Sequence, residues 1–244
     1  MQVLKKIRLL TVAVLAVGFS LYAGVLAPLY VQLSSDVAYS QWLCQVVFWA
    51  WETVDLLMFF WAYAATAYTW YRGGLKPTAG LAGIYGGLVL YKYAANFVIG
   101  SLVDGAFPSW GSFVALDLPI IGGEIGWELG QYAVIVLLTA LILRKSRKEQ
   151  AQLFPFARMV DMKNPMQRWA LSSAVVVTVI RWGMHLLYQL TLLVKQNHSE
   201  GWLVISVDLV SDLMIGVIAY FAMVFILSTL DRMDQSGQKK EKLT

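Results

Sequence analysis

Charge is scarce in this chain, helix breakers are few, and there is one cysteine. Charged residues fill only 14% of 244 positions and hydrophobic residues 59%, against roughly 25% and 45–50% in soluble domains. That balance excludes an ordinary soluble fold, which has no means of hiding so much continuous apolar surface. A lone Cys44 excludes an internal disulfide and any cysteine-built metal centre. The two histidines, His185 and His198, are too few and too far apart for haem ligation. No His-Glu-x-x-His, Gly-x-Ser-x-Gly or phosphate-binding loop occurs. Neither a metal nor a cofactor is therefore expected, and enzymatic function is the less favoured reading. The net charge of +4 is small, and nucleic acid is not an expected partner.

Long apolar runs are what the sequence does contain. Hydrocarbon about 30 Å thick takes about 20 residues of helix to cross. Six segments qualify, at about 9–33, 42–70, 78–103, 118–143, 169–194 and 202–230. Backbone groups in lipid must be satisfied internally, and no run of short alternating strands suggests a barrel, so the segments read as helices. The expected fold is an all-α integral membrane protein, a bundle of six transmembrane helices in one domain, with the lipid bilayer as its first partner. The first segment reads as a spanning helix, not a signal peptide, because its apolar run continues to Val31. Pro28 suggests a kink there, and the stretch Gly105 to Leu116 is expected to lie along the outer surface.

Basic residues orient the chain. Of 19 Lys and Arg, all but Lys92, Arg181 and Lys195 fall in four places: before residue 9, at Arg72 and Lys76, in the loop 144–168, and in the tail 231–244. Six crossings put all four on one face. The expected location is the cell membrane, with both termini cytoplasmic. The chain also divides into three hairpins whose returning helices each carry two acids, a pattern that suggests an internal repeat.

Those acids are the candidate site. A charge at the centre of a spanning helix costs about 2.5–3.5 kcal/mol on insertion scales. Yet the apolar segments hold Glu52, Asp55, Glu124, Glu128, Asp208 and Asp212 against only two bases, Lys92 and Arg181. Counted from the outer helix ends, Glu52, Lys92, Glu128 and Asp212 lie about 10 or 11 residues deep and Arg181 about 13. Asp55 sits one turn nearer the cytoplasm, while Glu124 and Asp208 sit one turn nearer the outside and are the weaker candidates. His185 shares a face with Arg181 and is expected as a hydrogen-bonding partner of an acid. Polar stripes such as Glu124, Glu128 and Gln131 are expected to face the bundle interior. Gly83, Gly86 and Gly87 are expected to permit close helix approach, and Trp49, Trp51 and Trp61 to pocket Glu52 and Asp55.

Four unmatched acids cannot all stay ionised in a dry interior. Protonation, or a cation, or a water-filled cavity has to compensate them. The leading expectation is a small transporter coupled to a cation or proton, with Glu128 and Asp212 as ion-binding acids and Lys92 or Arg181 as the counter-charge. Two alternatives stay open. One is a non-catalytic membrane component (assembly, immunity or signalling) whose charges pair structurally or with a protein partner. The other is an intramembrane enzyme acting on a lipid-linked substrate.

Overall fold

A computed structural model describes residues 2–35, 41–146 and 201–241, with 167, 170–172, 174–180, 183, 186, 187 and 190. Arg181, His185 and most of the loop 144–168 lie outside the described residues, as do the side chains of Asp208 and Asp212. Every described element is helical. The order is α1 (Gln2–Leu21), a π-helical turn (Tyr22–Leu26), α2 (Ala27–Ser35), α3 (Gln41–Gly73), α4 (Leu75–Val103), α5 (Trp110–Ser112), a second π-helical turn (Phe113–Asp117), α6 (Leu118–Ser146) and α7 (Gly201–Glu241).

Among the described residues, four helical stretches are long and apolar enough to cross a membrane: Leu4–Ser34, Trp42–Gly73, Leu75–Val103 and Leu213–Met233. The chain is thus an all-helical protein with the makings of a multi-pass membrane protein. The expected fourth segment is a continuous helix of spanning length, α6. Glu124, Glu128 and the glycines at 122, 123, 126 and 130 lower its hydropathy.

Two compact units divide the chain, Met1–Ala133 and Val134–Thr244. In the first, α1, α3 and α4 pack on one another. Helical periodicity accounts for the packing faces. On α1, Ile7, Leu15 and Phe19 are buried with Thr11 between them, one residue every four. On α4 the buried stripe is Thr78, Leu81, Tyr85, Val89 and Lys92. On α3 every residue from Ala62 to Thr69 is buried.

A small residue sits where α1 meets α3. At Gly18 the Met58 side chain already fills the space a Cβ would need, which brings α1 against α3. Around Gly83, Gly86 and Gly87 no described atom lies within 4 Å of a notional Cβ. Among the described residues, nothing packs against that side of α4.

The connections are tighter than the hydropathy boundaries indicate. Only Gly74 separates α3 from α4, with φ 78° and ψ −162°, a region that is essentially glycine-only. The Gly74 N–H donates to the Trp70 carbonyl at 3.1 Å, and Thr78 Oγ1 donates back to the Gly74 carbonyl at 2.7 Å. At its far end α4 stops at Gly105, φ 71°. There Ala106 N–H bonds the Ser101 carbonyl at 3.1 Å and Gly105 N–H the Leu102 carbonyl at 3.3 Å. This pair is the Schellman arrangement, which uses up carbonyls the helix leaves orphaned.

Prolines act through π-helical turns. Each of the two turns ends two residues before a proline, Pro28 or Pro119. Proline cannot donate to the carbonyl four residues back, and its ring crowds that carbonyl. A widened turn absorbs the crowding, while Leu21 and Ala27 keep right-handed angles near −65° and −64° in φ. The helix is thus carried through Pro28 and resumes as α2. The second π-helical turn makes Trp110 to Ser146 an unbroken helical run. Ser109 caps that run by accepting from Ser112 N–H at 3.2 Å. The stretch expected to lie flat is therefore mostly helix, with its non-helical part confined to 104–109.

In the second unit α7 continues well past the expected boundary at 230, so most of the tail 231–244 is helical. Its 41 residues correspond to about 60 Å. Ala219, Met223, Ile226, Leu227 and Leu230 form its buried stripe. A Cβ at Gly216 would meet the Thr178 hydroxyl, so a larger residue there requires Thr178 to shift.

Candidate functional site

Lys92 stands where the periodicity of α4 reserves a core position, three residues after Val89 and seven after Tyr85. Its side chain is 1% exposed. An isolated buried ammonium is prohibitively expensive, so it needs partners, and the neighbouring helices supply them. Lys92 Nζ donates to Asp55 Oδ1 on α3 at 2.8 Å and to Glu128 Oε2 on α6 at 2.5 Å. The other Glu128 oxygen accepts from the Tyr85 hydroxyl at 2.8 Å. One ammonium thus joins three helices.

Around this centre lies an aromatic shell. Lys92 Nζ sits 5.4 Å from the ring centroid of Phe19, 5.0 Å from that of Tyr22 and 4.6 Å from that of Tyr93, within cation–π range. Tyr22 belongs to the π-helical turn that precedes Pro28, so the irregular turn in the first helix faces the charged centre. Below the triad the Tyr85 and Tyr132 rings pack 4.4 Å apart. Tyr132 and Thr66 share a hydroxyl hydrogen bond of 2.5 Å.

The contacts also set helix direction. Moving from Glu128 to Tyr132 on α6 follows the move from Asp55 to Thr66 on α3 and opposes the move from Lys92 to Tyr85 on α4. Hence α3 and α6 run the same way and α4 runs against them. Glu52, three residues before Asp55, and Glu124, four before Glu128, both lie one helical turn beyond the triad on the same side. Both are exposed.

The three members differ in access. Glu128 is 12% exposed and Asp55 36%. If all three are ionised, the triad holds one negative charge in excess, and Asp55 is its open end.

No family model matches the chain. Neither a characterised protein nor a solved structure matches it either. The reading of the site rests on its own chemistry.

Of the nine expected residues, three meet directly: Asp55, Lys92 and Glu128. At Lys92 the acid from α3 is Asp55 and not the depth-matched Glu52. Side chains lean toward the N-terminus of their own helix. Lys92 leans toward Gly74, while Asp55 and Glu128 on opposed helices lean the other way, so equal depth of Cα atoms does not align the charged tips. Glu124 is exposed, whereas Glu128 and Tyr132 of the same helix are turned into the Lys92 centre. Trp49 is exposed and does not pocket the acids, whereas Trp51 packs between Tyr22 and Tyr30. Arg181, His185, Asp208 and Asp212 belong to the undescribed part of the site hypothesis.

The tyrosines escaped sequence reasoning. Two signals were there to find: Tyr85 on the Lys92 stripe, and Tyr132 four residues after Glu128. Tyr22 and Tyr93 carry no comparable signal.

Proposed function

We propose that this chain is a six-helix protein of the cell membrane, built from three hairpins with both termini cytoplasmic. In this reading it moves a small cation or a proton across the bilayer. The observation that carries this reading is the Asp55–Lys92–Glu128 triad, one buried ammonium shared by carboxylates of two other helices, which holds a net negative charge when all three are ionised. An excess charge in a low-dielectric interior favours uptake of a proton or cation. Asp55 is its entry point, being the member with the largest exposed surface. Its neutralisation loosens Lys92 from α3 and leaves the ammonium to Glu128, which Tyr85 holds in place. The exchange of partners changes which helices are tied together, as alternating access at a midplane site requires. Glu52 and Glu124, one turn further out, raise local cation concentration on that side. Counted along the sequence, Asp212 and Arg181 fall at a similar depth in the last two apolar segments.

Reconstitution into liposomes tests this. Ion-driven flux by the intact chain is expected to be lost in both Asp55→Asn and Glu128→Gln, with the protein still inserted and monodisperse. Full flux in both variants ends the assignment.

A second reading is favoured by how completely Lys92 is partnered. A saturated ammonium suits a structural latch in a non-catalytic membrane component that binds a partner. In that case the purified chain shows no flux, and single cysteines beside Asp55, placed in a Cys44→Ser background, stay unlabelled by impermeant reagents from either side.

A further inference from the structure

The surroundings of Lys92 are richer than an ion pair needs. Neutralising a buried lysine takes carboxylate oxygens, and Asp55 and Glu128 supply them at 2.8 Å and 2.5 Å. Nothing in that requirement calls for three aromatic faces, yet Phe19, Tyr22 and Tyr93 all lie within 5.4 Å of Nζ. Carboxylates that accept N–H bonds, combined with π faces that hold the adjoining positive charge, make up the recognition set for an organic ammonium ion. Hard metal cations want a different shell, six or more oxygens for calcium and an octahedron for magnesium. Among the described residues no three His, Cys, Asp or Glu side chains gather in a way that could hold a metal.

We infer that Lys92 is the tethered occupant of an ammonium-binding pocket formed by Asp55, Glu128, Phe19, Tyr22 and Tyr93, and that small primary alkylammonium ions are the cations this pocket takes. As a statement about transported substrate this rests on the function proposed above. As a statement about the pocket it does not.

Two features make the exchange physical. The lysine stem has four flexible carbons, so withdrawing Nζ is a rotamer change that leaves α4 in place. Once Nζ leaves, Asp55 and Glu128 face each other across the vacated position as two like charges, a strong demand for another cation. The pocket holds the end of a lysine, a methylene carrying an ammonium, so methylammonium and ethylammonium match it in size and hydrogen bonding. Tetramethylammonium has no N–H to give to either carboxylate and is excluded.

The test is chemical rescue of the full chain. Lys92→Ala, purified in detergent, is expected to melt several degrees higher with ethylammonium than with ethanol, its neutral isostere, or with tetramethylammonium. The wild type is expected to show no such difference. Affinity should be no tighter than on the order of 1 mM for a ligand of three non-hydrogen atoms. An equal response to ethylammonium and ethanol, or none to either, overturns the pocket. If Lys92→Ala yields no folded protein, ethylammonium in the growth medium is expected to restore monodisperse yield, and failure to restore it counts against the pocket equally. Flux separates the two claims. Saturable methylammonium uptake by wild-type proteoliposomes, competed by ethylammonium, supports both. Proton flux indifferent to ethylammonium overturns the substrate class and keeps transport. Rescue without any cation flux keeps the pocket and ends the transport reading.

Discussion

Tyr85 donates its hydroxyl hydrogen to Oε1 of Glu128 at 2.8 Å, and this bond settles which way the carboxylate presents its second oxygen. That oxygen meets Lys92. Tyr85 thereby acts on the charged centre without touching the ammonium. Hydrogen bonds to charged groups contribute about 1.5–3 kcal/mol, so Tyr85→Phe is expected to destabilise the protein by about that amount. A double-mutant cycle with Glu128→Gln should show strong coupling, and additive losses would mean that the bond carries little.

Removing the ammonium leaves the largely buried Glu128 facing the partly exposed Asp55. Breaking a buried pair by deleting one partner costs about 3–5 kcal/mol, because the remaining charge is uncompensated. Lys92→Met is expected to lose stability on that scale in denaturant titrations. Adding Glu128→Gln and Asp55→Asn to it should recover most of the loss. A triple variant as unstable as Lys92→Met alone would show that packing, and not charge, governs this position.

The two acids are not equivalent. Glu128 is 12% exposed and accepts from both Lys92 and Tyr85, while Asp55 is 36% exposed and accepts from Lys92. Desolvation and partner count both make Glu128 the more tightly committed group. Glu128→Gln is expected to lower the melting temperature clearly more than Asp55→Asn. The reverse order would place the structural weight on α3.

Two glycines, one before α4 and one within it, should respond in opposite directions. Gly74 adopts φ 78° with ψ −162°, and a Cβ there costs about 1–3 kcal/mol. Gly86 lies within α4 with nothing described near its notional Cβ, and alanine there gains up to about 1 kcal/mol of helix propensity. Thermal unfolding of Gly74→Ala and Gly86→Ala checks both. A neutral Gly74→Ala would contradict the one-residue connection.

Much of the helical layout was legible because apolar length and basic end-clusters are properties of composition along the chain. Depth counting likewise picked out Lys92 and Glu128 as belonging to one layer. It placed Glu52 level with Lys92 and Asp55 one turn away because it counts Cα positions, whereas the tips of side chains on opposed helices are displaced in opposite directions. The prolines were visible, but not that Pro28 and Pro119 are accommodated by π-helical turns, since that choice depends on how the chain continues past them. The aromatic shell was illegible for a further reason. Tyrosines and phenylalanines are as suited to facing lipid as to facing a cation, and only the packing of α1 against α3 and α4, set in part at Gly18, turns Phe19 and Tyr22 toward Lys92.

The single residue between α3 and α4 bears on how such a chain could be made. Asp55 and Lys92 are 37 positions apart and sit on two helices that a one-residue link keeps side by side from the start. Synthesis proceeds from the N-terminus, so both residues have been made before Glu128. If α3 and α4 enter a bilayer as one hairpin, the acid and the base go in together, already neutralised against each other, and neither crosses the hydrocarbon alone. Glu128 then arrives with a later helix and finds an ammonium waiting, which gives α6 a docking point that apolar surface by itself does not specify.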